Sequence, residues 1–79
     1  MKRLYRVYYN TFDDEIHERV KREIEERIGG RVVDHPSRVH REFRFIEVYT
    51  EDKGREDEIR DLVRSLAGTM YVRVDWIET

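Results

Sequence analysis

Residues 52–77 read DKGREDEIRDLVRSLAGTMYVRVDWI, and this stretch decides the fold because a helix pattern runs directly into a strand pattern. In its first half, apolar residues recur at the three-and-four spacing of a core-facing helix stripe: Ile59, Leu62, Val63 and Leu66. Asp52 is the predicted helix cap, and Gly68 ends the helix after Ala67. From Met70 to Ile77 the chain alternates at period two, which predicts a half-buried strand with Met70, Val72, Val74 and Trp76 facing the core.

The segment before this helix is the longest strand candidate, Val39 to Thr50, and it is rich in side chains favoured on pleated surfaces. Phe43 and Phe45 share one face, whereas Ile46 and Val48 lie on the opposite parity. Strict alternation cannot bury all four side chains. The sequence therefore predicts a β-bulge near Phe45–Ile46 and a curved sheet.

The N-terminal half has the same strand-then-helix order. Leu4 to Thr11 is a predicted strand, and Thr11 or Asp13 can cap the helix that follows. Its core stripe recurs every four residues: Ile16, Val20, Ile24 and Ile28. Gly29-Gly30 ends the helix. A short strand, Arg31 to Val33, follows, and the turn residues 34–37 end it.

The resulting order is strand, helix, strand, strand, helix, strand, with no linker and no internal repeat. With right-handed crossovers, this order predicts an α+β protein, a two-layer split βαβ (ferredoxin-like) sandwich over residues 1–79 as a single domain. The four-stranded antiparallel sheet has the order 4-1-3-2, and both helices lie on one face. The second strand is a short edge, where Pro36 discourages pairing with another chain.

Composition excludes several classes of protein. The chain has 79 residues, 43% of them charged, no cysteine and a formal net charge of -2. Disulfide scaffolds and thiol catalysis are excluded, and the negative balance argues against a dedicated nucleic-acid binder. No run is apolar enough to span a bilayer, and residues 1–6 do not resemble a targeting signal. We expect a soluble protein, cytoplasmic if expressed in a cell.

No motif assembles an active site, so we expect no enzyme, no catalytic, cofactor-binding or metal-binding residues and no cofactor. His35 and His40 flank the turn without a metal-ligand spacing. His17 lies within the apolar arc of the first helix, where we expect its ring to pack against a strand and its nitrogen to meet a hydroxyl or water; the alternative is a catalytic or pH-sensing role. Four acid-to-base pairs at i,i+4 predict solvated helix surfaces: Glu15–Arg19, Glu18–Arg22, Glu23–Arg27 and Glu56–Arg60.

The sheet face away from the helices is the one surface feature of note. The strand parities place Tyr8, Tyr49 and Tyr71 there, together with Ile77 and several arginines. An aromatic-rich open face often meets a partner, and a homodimer through this face is the simplest expectation. Alternatively, these tyrosines supply cross-strand packing alone.

The segment Arg41 to Val48, REFRFIEV, resembles the octapeptide of RNA-recognition motifs. That resemblance implies that Phe43 and Phe45 stack on unpaired bases, with Tyr5 as their partner on the first strand. Placing Phe43 and Phe45 outward would turn Arg44 toward the helices, and placing Tyr5 outward would do the same to Arg6. Since burying unpaired charge is costly, the sequence predicts instead that both phenylalanines lie in the core.

Taken over all six elements, the chain resembles de novo designed ferredoxin-like proteins with a bulged, curved sheet. The features that carry this resemblance are the acidic cap cluster at residues 13–15, the glycine stops, the Glu-to-Arg pairs and the absence of cysteine. The resemblance implies a structural scaffold without natural biochemical activity. The alternative is a small natural binding module that takes single-stranded RNA or a small ligand on its sheet face.

Overall fold

A computed structural model describes residues 3–78 of the chain. The elements are β1 (Arg3–Asn10), α1 (Asp14–Ile28), β2 (Arg31–Asp34), β3 (Phe43–Thr50), α2 (Glu56–Ala67) and β4 (Val72–Glu78). The strands form one antiparallel sheet in the order β2-β3-β1-β4, which is the predicted order read from the other edge. The fold is therefore the expected α+β, ferredoxin-like arrangement.

Local chemistry begins and ends α1 as predicted. The Asp13 carboxylate accepts hydrogen bonds from the backbone N–H groups of Glu15 and Ile16, which have no partner within the helix. At the other end, Gly29 adopts the left-handed conformation at φ 74°, and its N–H donates to the Glu25 carbonyl.

The start of α2 differs from the prediction. The helix begins at Glu56, and Asp52 does not cap it; its carboxylate instead accepts a hydrogen bond from the Arg55 guanidinium at 2.6 Å. The Tyr5 hydroxyl reaches this corner from β1, accepting from the Arg55 backbone N–H at 3.2 Å and donating to the Asp52 carbonyl at 3.0 Å. A side chain 50 residues away thus orders the helix start.

The core lies between the helices and one side of the sheet. Eleven buried apolar side chains form it: Tyr5, Val7, Tyr9, Val20, Ile24, Ile28, Ile46, Val48, Ile59, Leu62 and Val63. The predicted stripes on both helices are confirmed, and Tyr5, Val7 and Tyr9 of β1 face the core. Met70, predicted to face the core, precedes β4 and is 84% exposed.

The third strand corrects two predictions. It starts at Phe43 rather than Val39, because residues 35–42 form a loop in which the Phe43 N–H donates to the His40 carbonyl. From Phe43 to Thr50 every residue faces one partner on β1, so the predicted β-bulge near Phe45–Ile46 is absent. The strand keeps strict alternation instead of burying all four apolar side chains: Ile46 and Val48 face the core, and Phe43 and Phe45 face the other side of the sheet.

Candidate nucleic-acid interface

Phe43 and Phe45 lie on the open face of the sheet, so their predicted core placement is wrong. Phe45 stands opposite Tyr8 of β1, and Phe43 stands opposite Asn10. The prediction failed because it treated an inward Arg44 as unpaired. Arg44 lies near the end of the sheet, where its guanidinium donates to the Thr11 carbonyl at 3.0 Å and to Asp14 at 2.8 Å.

The strand-one partner of the phenylalanines is Tyr8, not Tyr5. Tyr5 is fully buried on the helix side, and Arg6 points to the open face. The burial of Arg6 that an outward Tyr5 would have required therefore does not occur. The sequence contained the signal for this arrangement, because Tyr8 has the opposite parity to Tyr5, Val7 and Tyr9. The open-face positions predicted for Tyr8 and Tyr49 follow directly from the register.

One line of side chains runs across the sheet, from the residue just after β2 to β4, and is here called the aromatic row: His35, Phe45, Tyr8 and Arg73. The Phe45 and Tyr8 rings are 4.7 Å apart between centroids with planes 4° apart, and the His35 ring lies 4.9 Å from Phe45. Parallel rings at this separation face each other, since rings side by side in one plane would overlap. The Arg73 guanidinium lies 6.0 Å from the Tyr8 ring centre, on a neighbouring strand. The row is therefore a stack of three rings whose outermost faces belong to His35 and Tyr8, with the Arg73 guanidinium beyond Tyr8.

An apolar groove of about 360 Å³ runs beside the row. Its lining residues are Tyr8, Tyr9, His35, Ser37, Phe43, Arg44, Phe45 and Tyr71. Phe43 is 48% exposed and Tyr71 is 53% exposed, so two ring surfaces at its border are available to a ligand. The predicted surface residue Tyr71 thus joins Tyr8 at one site.

The rest of the open face consists of charged side chains and of apolar side chains that pack against one another. Glu47 accepts from His35 at 2.6 Å and pairs with Arg6 at 3.5 Å, which places a charged row next to the aromatic row. Further along, Leu4 is almost fully buried although it faces away from the helices; its cross-strand neighbours there are Tyr49 and Ile77. Ile77 therefore lies with Tyr49 at the other end of the face from the groove.

A second cluster of polar side chains lies inside the protein. The Tyr9 hydroxyl contacts His17 Nδ1, His17 Nε2 lies 2.9 Å from Asp34 Oδ2, and Lys21 donates to the same oxygen at 3.2 Å. Burial raises the pKa of Tyr9 well above its usual value, so the hydroxyl keeps its proton. Partial burial opposes ionisation of Asp34, but hydrogen bonds from His17 and Lys21 outweigh it and lower its pKa. The hydrogen bonds therefore run from Tyr9 to His17 to Asp34.

This cluster confirms that His17 packs against a strand with one nitrogen on a hydroxyl. Its partner Asp34 was missed, because in sequence that residue is an ordinary turn former. Tyr9 is 0% exposed and His17 is 3% exposed, so no substrate can reach either group. We assign the cluster a structural role, because its hydrogen bonds join α1 to β1 and β2.

The other sites considered in the sequence bring no reactive groups together. His35 pairs with Glu47 and His40 lies 3.6 Å from Glu42; within residues 3–78 no three His, Asp or Glu side chains are placed to hold a metal ion. Of the four predicted i,i+4 pairs, Glu23–Arg27 forms, at 3.4 Å. Glu18 instead pairs with Lys21, and Arg60 with Asp57, since three-residue spacing also brings side chains together.

Comparison of the chain with protein-family models, curated proteins and solved structures found no match. No helix in the described part of the chain has the length and apolar character required to cross a membrane.

Proposed function

We propose that this protein is a non-catalytic binding module that takes single-stranded RNA on its open sheet face. One observation carries the proposal: Tyr8 on β1 and Phe45 on β3 are direct cross-strand partners on the solvent side, and Phe43 lies two residues before Phe45 on the same face. Aromatic side chains on two central strands of an open sheet are the platform on which such modules stack unpaired bases.

The geometry indicates where a base would bind. Within the aromatic row the ring faces are already covered, so a base stacks at the Tyr8 end. There it enters between the Tyr8 ring and the Arg73 guanidinium, whose side chain is mostly exposed and whose ion pair with Asp75 at 3.0 Å shifts to admit the base. This position gives the base an aromatic face on one side and a cation on the other. Phe43 and Tyr71 extend the site for a neighbouring base.

The distribution of charge favours an anionic ligand outside the helices rather than on them. The two helices contain ten of the 18 acidic residues and six of the 16 basic ones, so the remaining residues have ten basic and eight acidic side chains. Arg6, Arg31 and Arg73 are exposed on the strands, while Glu47 and Asp75 offset part of their charge. The helices thus carry the negative excess, and the attraction for phosphates is modest and sensitive to salt.

Fluorescence anisotropy with labelled RNA octamers of mixed sequence at low salt tests the proposal. Tyr8→Leu keeps apolar bulk on the strand and removes the stacking surface. Because one base stack on an aromatic ring contributes about 1–3 kcal/mol, we expect roughly 5- to 150-fold weaker binding. Ile77→Leu, on the same face but far from the row, is the matched control and should bind like the parent chain.

Two results would contradict the RNA proposal. One is the absence of binding by the parent chain at protein concentrations near a millimolar. The other is equal loss of affinity in the Tyr8 and Ile77 variants, which would indicate a non-specific effect. Circular dichroism must show the same folded spectrum for all three chains.

A second candidate is a scaffold without a ligand, of de novo designed origin, with or without a homodimer through the open face. The mutual stacking of the aromatic row favours it, because His35, Phe45 and Tyr8 already satisfy one another without any partner. On this proposal, Tyr8→Leu lowers stability through lost cross-strand packing and changes no binding activity. The anisotropy measurement above separates the two candidates.

A further inference from the structure

The strand β4 is an open edge of the sheet. Its one strand neighbour is β1, and among the elements within residues 3–78 it packs against β1 and α2 alone. An edge strand directs the N–H and C=O groups of every second residue away from the sheet, so residues 72–78 present a row of backbone groups with no strand beside them. Trp76 and Ile77, on opposite faces of β4, are 47% and 42% exposed. Another strand can therefore be added to the sheet at β4.

The other edge strand, β2, has features that prevent such pairing, and β4 lacks them. β2 is four residues long, Pro36 follows it, and Asp34 directs its charged side chain to the helix side of the sheet, where it meets His17. Short strands, prolines and inward charges keep sheet edges from pairing. β4 has seven residues, no proline, and one partner on β1 for each residue, so no bulge interrupts it. The side chains that it directs toward the helices are all apolar: Val72, Val74 and Trp76.

The side chains of β4 are self-complementary when two copies pair antiparallel about a two-fold axis at Val74. Residues at equal distances before and after Val74 then lie opposite each other, and opposite residues point to the same face of the sheet. Apolar side chains of one copy meet apolar side chains of the other, and charged side chains meet the opposite sign. The opposed residues are Val74 with Val74, Val72 with Trp76, Arg73 with Asp75, and Tyr71 with Ile77.

The charges of β4 are already paired within the chain, and the two-fold axis keeps them complementary. Arg73 lies 3.0 Å from Asp75 of the same strand. In the antiparallel pair, these two residues of one copy lie against those of the other in reverse order, so positive and negative groups alternate among the four. An axis at Arg73 would place arginine directly opposite arginine, and an axis at Asp75 would do the same to the carboxylates. Since like charges directly opposite are destabilising, the side chains favour the register centred on Val74.

We propose that two copies of this chain associate through β4, antiparallel and centred on Val74, to form one continuous eight-stranded sheet. The two-fold axis is perpendicular to the sheet, so all four helices lie on one face and the two open faces adjoin on the other. The contact is made at the edge and does not require RNA binding. Because one strand-to-strand contact is smaller than a standard stable interface, we expect a monomer–dimer equilibrium with a Kd on the order of 10 to 100 μM.

Two charge variants test the register. Asp75→Arg makes residues 73 and 75 both positive, and Arg73→Asp makes them both negative, so each variant sets like charges opposite each other in its own dimer. We expect each variant alone to dimerise at least about tenfold more weakly than the parent chain, measured by sedimentation equilibrium over about 5 μM to 1 mM. An equimolar mixture sets a positive strand against a negative one, and should form a heterodimer at least as tight as the parent dimer.

The matched controls are Arg19→Asp and Glu26→Arg, which make the same changes of net charge on the exposed surface of α1. Alone and mixed, they should associate like the parent chain. Both β4 side chains that are changed in the test are accessible to solvent, so the fold should persist. Circular dichroism checks that every variant has the folded spectrum of the parent.

Four results would overturn the proposal. A parent chain of constant monomer mass up to about 1 mM removes the contact. Dimerisation that neither β4 variant weakens assigns the contact to another surface. Weakening in both variants without recovery in their mixture removes the register centred on Val74. A parent that stays monomeric yet binds a synthetic peptide of residues 70–78 assigns the β4 edge to extended peptides rather than to a second copy.

Discussion

His17 Nε2 lies 2.9 Å from Asp34 Oδ2, so a helix residue in the apolar arc of α1 holds the last residue of the edge strand β2. The other ring nitrogen of His17 contacts the Tyr9 hydroxyl on β1. One imidazole thus connects three elements through hydrogen bonds inside the protein. Buried polar groups joined in this way are costly to disturb, because removing one partner leaves the others unsatisfied.

The Tyr9→Phe variant tests the buried hydrogen bond. It keeps the ring in the core and removes the hydroxyl, which leaves His17 Nδ1 without its donor. We expect a loss of about 1–3 kcal/mol in the free energy of unfolding, measured by urea denaturation. Tyr49→Phe, on the open face, should change it by less than about 0.5 kcal/mol. Equal small losses in both variants would contradict the importance of the cluster.

Alkaline pH should lower the free energy of unfolding, because Tyr9 holds its proton more tightly in the folded state than in the unfolded state. Burial raises the pKa of this residue in the folded state, whereas an unfolded tyrosine titrates near its ordinary value of about 10. Below pH ~10 both states hold the proton and the stability is fully present. As pH rises further, the unfolded state loses the proton first, so stability falls. Denaturation midpoints at pH 8 to 11.5 should show this decline, and Tyr9→Phe should flatten it.

Acidic pH should lower the free energy of unfolding through protonation of Asp34. Its pKa is lowered in the folded state, so the folded chain binds the proton less readily than the unfolded chain. Its contribution is fully present above the unfolded value near 4 and is lost as pH falls through the folded value. In Asp34→Asn, which cannot titrate, stability should vary less between pH 5 and 2.5 than in the parent. An unchanged acid profile would show that other carboxylates control it.

The two adjacent glycines at the end of α1 should respond differently to alanine. A Cβ on Gly29 meets nothing within 4 Å, so Gly29→Ala costs only the strain of a left-handed backbone, about 1 kcal/mol. A Cβ on Gly30 would lie 2.5 Å from the Tyr49 carbonyl oxygen of β3, where backbone must shift. We expect Gly30→Ala to cost more than Gly29→Ala by about 1–2 kcal/mol in thermal and urea unfolding. The reverse order would show that β2 adapts without cost.

By itself, the sequence determined the element order, the sheet topology and the core stripes of both helices. These follow from local chemistry: hydrophobic period, the Asp13 cap and the Gly29 stop act within a few residues of the chain. The placement of Tyr8 and Tyr49 on the open face followed from the same alternation.

Only the tertiary structure decided which face the phenylalanines of β3 occupy, because the answer depends on the distant partners of Arg44. The sequence could not show that Thr11 and Asp14 receive this guanidinium near the end of the sheet. Because the Arg44 charge is paired, Arg44 can point toward the helices without a large penalty. Ile46 and Val48 then lie in the core, and the Phe45 ring stacks on Tyr8 on the open face of the sheet. The inward Arg44 is thus satisfied by a backbone carbonyl and a carboxylate that lie 33 and 30 positions away in the sequence.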